Sequence, residues 1–301
     1  GLQALLSLHW SWSVEYLFTD YGDYQISEHA LSPGQTQVGT VNKVAIKTRG
    51  LMVGISYLFN GANNYVAPMN NYNYDLFNGL YFGLHFGFIQ SYFRIRPDIK
   101  AVLPATPLIG NGALGSEASS SNLVGGLYTG YGHNIGRFYL GAELFGTLEN
   151  TAGRSEFTST ELTGAQKITN IMNTSLENEY GIGIKPGVLL TSNVLLYGLI
   201  GVTRARFKIN SFMDDTTAGV TSRADVTASK NVTGVRVGIG MATQIAHNLS
   251  FNINYFYTNY QPLSIGSMIS FGAGGGSIFV NNTRVSPRME TLLVGLSYYI
   301  N

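Results

Sequence analysis

The chain has 301 residues, a net charge of +1 and no Cys, and only 12% of its residues are charged. Such sparse, balanced charge excludes both a disordered chain and a strongly basic nucleic-acid-binding domain. The lack of Cys excludes a disulfide framework, a thiol nucleophile and a Cys-based zinc site. No stretch reaches the roughly 18 apolar residues of a membrane-spanning helix. Gly, Asn, Ser, Thr and aromatic residues replace the missing charge, with 37 Gly, 19 Tyr and 16 Phe.

The beginning of the chain resembles its end. Residues 10–21 align without gaps to 249–260, and residues 51–60 align to 292–301, with Leu, Val, Gly, Ser, Tyr and Asn at matching positions. This agreement favours an internal duplication over two hairpins that merely share an alternating pattern. We therefore expect residues 1–60 to form a β-hairpin that corresponds to the last two strands of another barrel-like unit.

The stretch that follows this hairpin separates it from a longer unit. Residues 61–78 are rich in Asn and Tyr and are predicted to be a linker, and residues 79–301 are predicted to form a complete unit. Three explanations of the leading hairpin stay open. It belongs to a full upstream barrel, it adds two strands to a ten-stranded barrel, or it is a fragment.

The complete unit begins with a long alternating segment. Leu80, Phe82, Leu84 and Phe86 share one face, and small or polar residues share the other. A row of uniformly large apolar residues opposite Gly, Ser and Asn is typical of a barrel with a lipid-facing outside and a polar, narrow interior. The predicted lipid-facing residues are Phe82, Leu84, Phe86, Val237, Ile239, Phe251, Ile253, Val294 and Leu296.

Eight strands are predicted after the linker, and their connections alternate strictly between short and long. The strands lie near 79–92, 123–133, 137–149, 177–190, 194–209, 231–245, 249–260 and 286–300. The long links are 93–122, 150–176, 210–230 and 261–285. Outer-membrane barrels have short periplasmic turns and long extracellular loops, so the pattern predicts an all-β, transmembrane, antiparallel up-and-down barrel.

Aromatic residues gather near the predicted strand ends, and we expect most rings on the outside of the barrel and at its rims. Rings of this kind form girdles at membrane interfaces, where an amphipathic side chain suits the boundary. The predicted interface aromatics are Tyr16, Phe18, Tyr57, Phe59, Tyr255, Tyr257 and Tyr298.

Several of these strands together resemble a known family. The segments are GLYFGLHFG at 79–87, GGLYTGY at 125–131, YLGAE at 139–143, LYGLIGV at 196–202 and GVRVGIG at 234–240. They resemble the small outer-membrane barrels of the opacity-protein and outer membrane protein A transmembrane-domain type. The resemblance covers 79–301, and 14–22 is similar to the seventh strand of that family. Two departures are the extra leading hairpin and a C-terminus that ends in Asn301 rather than an aromatic residue.

The resemblance implies a bacterial outer-membrane location and several partners. These are outer-membrane lipid and lipopolysaccharide, the outer-membrane assembly machinery, and host surface molecules reached through the loops. It implies no nucleic acid and no cofactor. The implied role is structural or adhesive, on the surface of the cell.

Charged residues on the inward rows are candidates for a buried network, because eight strands leave an interior just wide enough for side chains. The residues are Glu143, Glu179, Lys185 and Arg236. We favour a structural polar core, in which the charges are paired, over an ionic plug that opens to pass ions. Pro186 removes a ladder donor, so a β-bulge is expected beside it.

Signals for catalysis and metal binding are weak. The five His residues are scattered without metal-ligand spacing, and His247 near Ser250 lacks a carboxylate partner. We therefore expect no enzyme activity and no metal site.

Two further readings compete with the surface-exposed barrel. One is a narrow channel, in which residues 1–60 add two strands and give a ten-stranded barrel. The connection 61–78 disfavours it, because it is far longer than the other short turns. A soluble lipocalin-type barrel predicts large apolar residues inside, the reverse of the pattern above.

Overall fold

The computed structural model describes residues 2–5, 10–30, 38–57, 76–102, 116–160, 166–217, 220–270 and 278–300. The chain divides into two compact units, 1–71 and 72–301. In the first unit, the antiparallel sheet consists of β1 (Leu2–Leu5), β2 (Trp10–Ala30) and β3 (Val38–Tyr57) in that order. Most of the predicted linker 61–78 lies outside the described residues.

The second unit is a closed antiparallel barrel. Its strands are β4 (Gly79–Val102), β5 (Ser116–Ile135), β6 (Phe138–Thr160), β7 (Gln166–Thr191), β8 (Val194–Thr217), β9 (Val220–Ala246), β10 (Leu249–Tyr260), β11 (Leu263–Ser270) and β12 (Ile278–Ile300). Each strand from β4 to β10 pairs with the next, and β12 pairs with both β10 and β4, which closes a ring of eight. β11 pairs with β12 beyond the end of β10.

Ring closure confirms the predicted eight-stranded barrel and shows that the ten-stranded alternative is wrong. β4 pairs with β5 on one side and with β12 on the other, from Leu80 opposite Ile300 to Val102 opposite Ile278. A closed antiparallel ring satisfies the backbone hydrogen bonds of every strand internally, as a membrane-spanning sheet requires. Among the described residues, no helix is long and apolar enough to cross a membrane.

Three two-residue turns join the strands at one end of the barrel. They are Gly136–Arg137, Ser192–Asn193 and His247–Asn248. Gly136 has a φ of +63°, a backbone conformation that a two-residue hairpin turn needs and that Gly adopts without steric cost. These turns lie where the sequence predicted its short connections.

At the opposite end, the strands run much further than predicted. β8 and β9 remain paired up to Thr217 opposite Val220, so the predicted loop 210–230 is mostly a β-ladder. β7 likewise begins at Gln166 inside the predicted loop 150–176. The expectation of long irregular loops was wrong here because the sequence of these extensions shows no continuous row of large apolar residues. Inward apolar residues such as Met172 and Leu176 are spaced among Asn, Thr and Ser, and the frequent Thr and Val favour β-structure.

The expected bulge beside Pro186 is absent. Ile184 pairs with Ile200 and Gly187 pairs with Tyr197, so the register with β8 is the same on both sides of the Pro. Pro186 has no backbone N–H, so one hydrogen bond between the strands is missing at this position. This loss does not require an extra residue in the strand, so no bulge forms. The bulges of β7 against β8 lie instead around Asn178, whose φ is 45°, and around Leu190.

Candidate functional site

The interior of the barrel contains an ion pair near the turn end. Lys185 Nζ donates to Glu143 Oε2 at 2.8 Å, and the Tyr81 hydroxyl donates to the same oxygen at 3.0 Å. The ammonium also lies 4.1 Å from the centre of the Tyr197 ring. All four side chains are buried, so the ring faces and the phenol replace the water that would otherwise solvate the charges.

A second ion pair lies further along the axis. The Arg236 guanidinium contacts Glu179, and the hydroxyls of Thr203 and Tyr260 both donate to Glu179 Oε1 at 2.7 Å. Arg236 Nε donates to Thr258 Oγ1 at 3.1 Å. Arg236 and Glu179 are each 2% exposed, so this pair is sealed from solvent. The sequence predicted all four interior charges, and the structure brings them together as these two pairs.

A chain of neutral hydrogen bonds begins at Tyr197, beside the first ion pair. The Tyr197 hydroxyl donates to Asn254 Oδ1 at 2.5 Å, and Asn254 Nδ2 donates to Asn252 Oδ1 at 2.9 Å. Asn252 Nδ2 donates to the Tyr128 hydroxyl at 2.6 Å and to Ser297 Oγ at 3.0 Å. Such a connected network orders this part of the interior, because the side chains of the chain are hydrogen-bonded to one another.

Little empty space remains around this network. The gap lined by Lys185, Tyr197, Arg236, Asn252 and Asn254, among others, has a volume of about 10 Å³. A cavity of that size holds about one water molecule. Side chains therefore fill most of the space around the first ion pair.

Apolar and aromatic clusters close the space on either side. The cluster at the turn end includes Phe77, Tyr81, Tyr139, Leu189, Leu195 and Tyr299. The cluster at the extended end includes Ile89, Phe93, Leu176, Phe207, Met289 and Leu293. The expectation that most aromatic rings lie outside the barrel was wrong, since many rings point inward and fill the interior.

Inward-facing Gly residues explain how a small barrel accommodates these rings. A Cβ placed on Gly83 would lie 2.3 Å from Tyr128 Cζ, and one on Gly130 would lie 2.5 Å from the Tyr81 hydroxyl. A Cβ on Gly181 would lie 2.5 Å from Phe145 Cζ. Each ring thus packs directly on the backbone of a Gly in a nearby strand, which any larger residue would prevent.

The predicted lipid-facing residues lie on the outward rows. Phe82, Leu84, Phe86, Val237, Ile239 and Leu296 are exposed, and Phe251 and Val294 are partly exposed. Ile253 departs from the expectation, because it is only 6% exposed. The register places it directly between Met241 and Val294 on the same outward face, and the side chains packed around it leave almost no surface for lipid.

Of the predicted interface aromatics, Tyr255 and Tyr298 are exposed on the outward face and Tyr257 is partly exposed. The Tyr298 ring lies 5.7 Å from that of Phe82. The side chains of Tyr16, Phe18 and Tyr57, and the whole of Phe59, lie outside the described part of the structure.

The His residues form no catalytic arrangement in the described chain. His85 is buried, stacks on Tyr128 at 5.5 Å between ring centres, and lies 3.2 Å from Thr147 Oγ1. His247 is exposed in a turn, whereas Ser250 is buried. Within the described residues, no three His, Asp or Glu side chains gather as metal ligands would.

One buried carboxylate was missed by the sequence reasoning. Glu149 on β6 is 5% exposed, and neither of its carboxylate oxygens has a hydrogen-bond partner among the described residues. Glu149 and Glu143 are an even number of residues apart, so both side chains point to the inward face of β6. The alternation of β6 therefore indicates that Glu149 is an interior residue. Glu149 was overlooked because it was placed at the end of a predicted strand.

The closed ring, the outward apolar rows and the paired interior charges define an eight-stranded outer-membrane β-barrel. The family model described as "Outer membrane protein beta-barrel domain" matches residues 65–298, and the chain belongs to this family. Its location is therefore the bacterial outer membrane. No curated protein matches the chain in sequence.

Several solved structures are similar to the chain. Ail, the attachment invasion locus protein of Yersinia pestis, is 14% identical, with 73% of this chain and 98% of that chain covered and a TM-score of 0.32. OprG from Pseudomonas aeruginosa is 16% identical, with 74% and 97% covered and a TM-score of 0.37. The outer membrane protease OmpT from Escherichia coli is 7% identical, with 79% and 100% covered and a TM-score of 0.40. At these values the matches carry no information on what this chain binds or catalyses.

Proposed function

We propose that this barrel is a structural or adhesive surface protein, and that it acts through its strand extensions outside the cell rather than by conduction or catalysis. The observation that carries the proposal is the filled interior, in which two buried ion pairs lie between apolar clusters. A general porin needs an open aqueous lumen, which barrels of this strand number do not have.

The energy of the ion pairs supports a closed resting state. Separating a buried pair leaves an uncompensated charge and costs about 3–5 kcal/mol. A path past the second pair would require Arg236 to leave Glu179, so at equilibrium about one molecule in 10² to 10⁴ would be open. The neutral hydrogen-bonded chain from Tyr197 to Ser297 favours a narrow channel as the second candidate, since it adds polar groups to the interior beside the first ion pair.

The extensions offer the surface for contacts. On β4 the outward apolar row ends at Phe88, and the strand continues to Val102. These 14 residues correspond to about 45 Å of strand at about 3.3 Å per residue. Among the side chains described there, Lys208 of β8 pairs with Glu177 of β7 at 2.7 Å, which links neighbouring strands above the apolar band. Contacts made by β-paired extensions cost less conformational entropy than contacts made by irregular loops.

Two measurements test the proposal. In planar bilayers we expect no discrete conductance from the purified protein, and regular channel steps would favour the channel instead. For adhesion, the hairpin of β8 and β9 is shortened. Ile209 pairs with Ala228, so residues 209–228 can be replaced by the two-residue turn Asn-Gly without changing the register of the rest. Vesicles carrying the wild-type protein are expected to bind cultured epithelial cells more strongly than vesicles carrying shortened hairpins. Equal binding after shortening all four extensions would refute the adhesive role.

A further inference from the structure

The first unit repeats the closing strands of the barrel over more of its length than a single hairpin. The alignment of residues 10–21 to 249–260 continues without a gap back to Gly1, which aligns to Gly240. β1 is thereby equivalent to the end of β9, β2 to β10, and the end of β3 to the end of β12. The first unit therefore corresponds to three neighbouring strands of the closed ring.

Both ladders of the first unit have the register of the barrel. Leu2 lies opposite Val14, and the equivalent residues Met241 and Ile253 lie opposite each other. A slip of one residue would exchange the two faces of a strand, so the two sheets have the same inward and outward rows. In the ladders of β2 with β3 and of β10 with β12, the equivalent pairs are Trp10/Tyr57 and Leu249/Tyr298, Trp12/Ile55 and Phe251/Leu296, Val14/Val53 and Ile253/Val294, and Tyr16/Leu51 and Tyr255/Leu292.

One contact of the inward face is repeated as well. A Cβ on Gly54 would lie 2.6 Å from Ser13 Oγ, and a Cβ on the equivalent Gly295 would lie 2.7 Å from Asn252 Oδ1. Each Gly lies opposite that polar residue in its ladder. In both sheets a polar side chain thus packs on a Gly of the neighbouring strand, and in the barrel this face is the interior.

This face is covered in the barrel and exposed in the first unit. Asn254 is 7% exposed, and the Tyr197 hydroxyl of β8 donates to it at 2.5 Å. The equivalent residue Glu15 is exposed. Ser297 is also buried in the barrel, and its equivalent Ser56 is exposed. These equivalent positions differ in whether strands from across a barrel cover them.

The outer edge of the sheet differs in the same way. β12 pairs with β4 from Ile278 to Ile300, whereas none of the described strands pairs with the equivalent edge of β3. An open edge presents unpaired backbone groups, which lipid cannot satisfy. We propose that the first unit is the closing part of a second eight-stranded barrel, and that the strands completing it precede residue 1 in the full-length protein. β1 supports this source, because it is equivalent only to the end of a strand that begins at Val220.

Glu15 defines what one of the completing strands must carry. At the equivalent place in the barrel, the ring of Tyr197 lies beside Lys185, with 4.1 Å between the ammonium nitrogen and the ring centre. An ionised carboxylate in so narrow an interior needs a cationic partner. We therefore expect a Lys or Arg on the inward row of a completing strand, facing Glu15.

The first test is the sequence of the gene before the codon for Gly1. We expect five alternating segments, each with the roughly 9–11 residues or more that a tilted membrane strand needs, followed by one that continues into β1. At least one inward row should contain a Lys or Arg. A signal peptide directly before Gly1, or alternating segments without an inward cation, would overturn the proposal.

The second test measures where the first unit lies in the assembled protein. Ile55→Cys adds one labelling site to a chain without Cys, and the equivalent Leu296→Cys is the matched control, because Leu296 is 43% exposed on the lipid-facing row. The full-length protein with a fluorescent label at either site is reconstituted in phosphatidylcholine vesicles. Quenching by doxyl-labelled lipid is compared with quenching by aqueous iodide. We expect lipid quenching of the two labels to agree within about twofold, with little quenching by iodide.

A protein that begins at Gly1 is the control for the preceding strands, because the barrel of the second unit closes without them. Here the label at Ile55 should become accessible to iodide, while the label at Leu296 keeps its lipid quenching. Iodide quenching at Ile55 in the full-length protein would overturn the proposal, since the first unit would then lie outside the membrane. Unchanged lipid quenching in the shortened protein would overturn it in favour of pairing with a second copy. Neither measurement involves host cells, so the outcome is independent of the adhesion test.

Discussion

Replacing Glu179 by Gln tests whether the second ion pair stabilises the barrel. The substitution keeps the size of the side chain but removes the negative charge that the Arg236 guanidinium contacts. Because both side chains are 2% exposed, water cannot replace the lost charge. The hydroxyls of Thr203 and Tyr260 also lose a charged acceptor. From the usual cost of an uncompensated buried charge, we expect the free energy of unfolding to fall by about 3–5 kcal/mol.

The assay is urea-induced unfolding of the reconstituted barrel in lipid vesicles, followed by far-ultraviolet circular dichroism and by the electrophoretic shift. Glu177→Gln is the matched control, because Glu177 lies two residues away and pairs with Lys208 at 2.7 Å. The side chains of that pair are 24% and 36% exposed, and exposed pairs contribute about 1 kcal/mol or less. Both variants therefore replace a paired Glu by Gln, and they differ in how deeply the ion pair is buried.

A double variant separates lost charge pairing from lost packing. In Glu179→Met/Arg236→Met both charges are removed, and apolar replacement of a whole buried pair is often neutral or stabilising. We expect it to be more stable than Glu179→Gln alone. The reasoning fails if Glu179→Gln changes the unfolding free energy by less than about 1 kcal/mol, or if Glu177→Gln costs as much.

Three further predictions, two of them with a control substitution, are checked by the same unfolding assay. Gly83→Ala should cost about 1–3 kcal/mol, because its Cβ meets the ring of Tyr128, whereas Gly146→Ala, with open space around its Cβ, should stay within about 0.5 kcal/mol. Tyr128→Phe should cost about 1–2 kcal/mol through its lost hydroxyl contacts at 2.6 Å, while Tyr131→Phe on the outward face should change nothing measurable. Glu149→Gln should leave stability unchanged or raise it by about 1–2 kcal/mol, since a buried carboxylate without a hydrogen-bond partner disfavours folding; a loss as large as that of Glu179→Gln would contradict this.

The barrel and the sidedness of its strands could be predicted from the sequence because both depend on local parity. Side chains alternate in and out along every strand, so the row of Phe82, Leu84 and Phe86 was enough to assign the faces. The same parity placed Glu143 and Lys185 inside. Their partnership could not be predicted, because it depends on the register between β6 and β7, which sets Gly141 opposite Lys185. Register is a property of two strands and is absent from the pattern of either one.

The strand extensions and the interior rings were mispredicted for a different reason. Strand ends were inferred from the loss of large apolar residues, which marks the edge of the apolar band rather than the end of backbone pairing. Tyr81 and Tyr128 occupy rows whose other members are mostly Gly, so the rows were treated as uniformly small. The complementary partner of each ring lies on a neighbouring strand, as Gly130 does for Tyr81, and only the folded barrel brings them together.

The packing of rings on Gly also explains the low charge of this chain. Tyr81 packs on Gly130 and donates its hydroxyl to Glu143, so one side chain both fills volume and solvates a buried carboxylate. Tyr260 does the same for Glu179, since it packs against Gly234 and donates at 2.7 Å. Phenol groups can satisfy only a few ions in so narrow a space, so each further interior charge would need its own partner and its own room. A barrel filled in this way must keep its charges few, and a carboxylate such as Glu149, without a hydrogen-bond partner among the described residues, is held there only at an energetic cost.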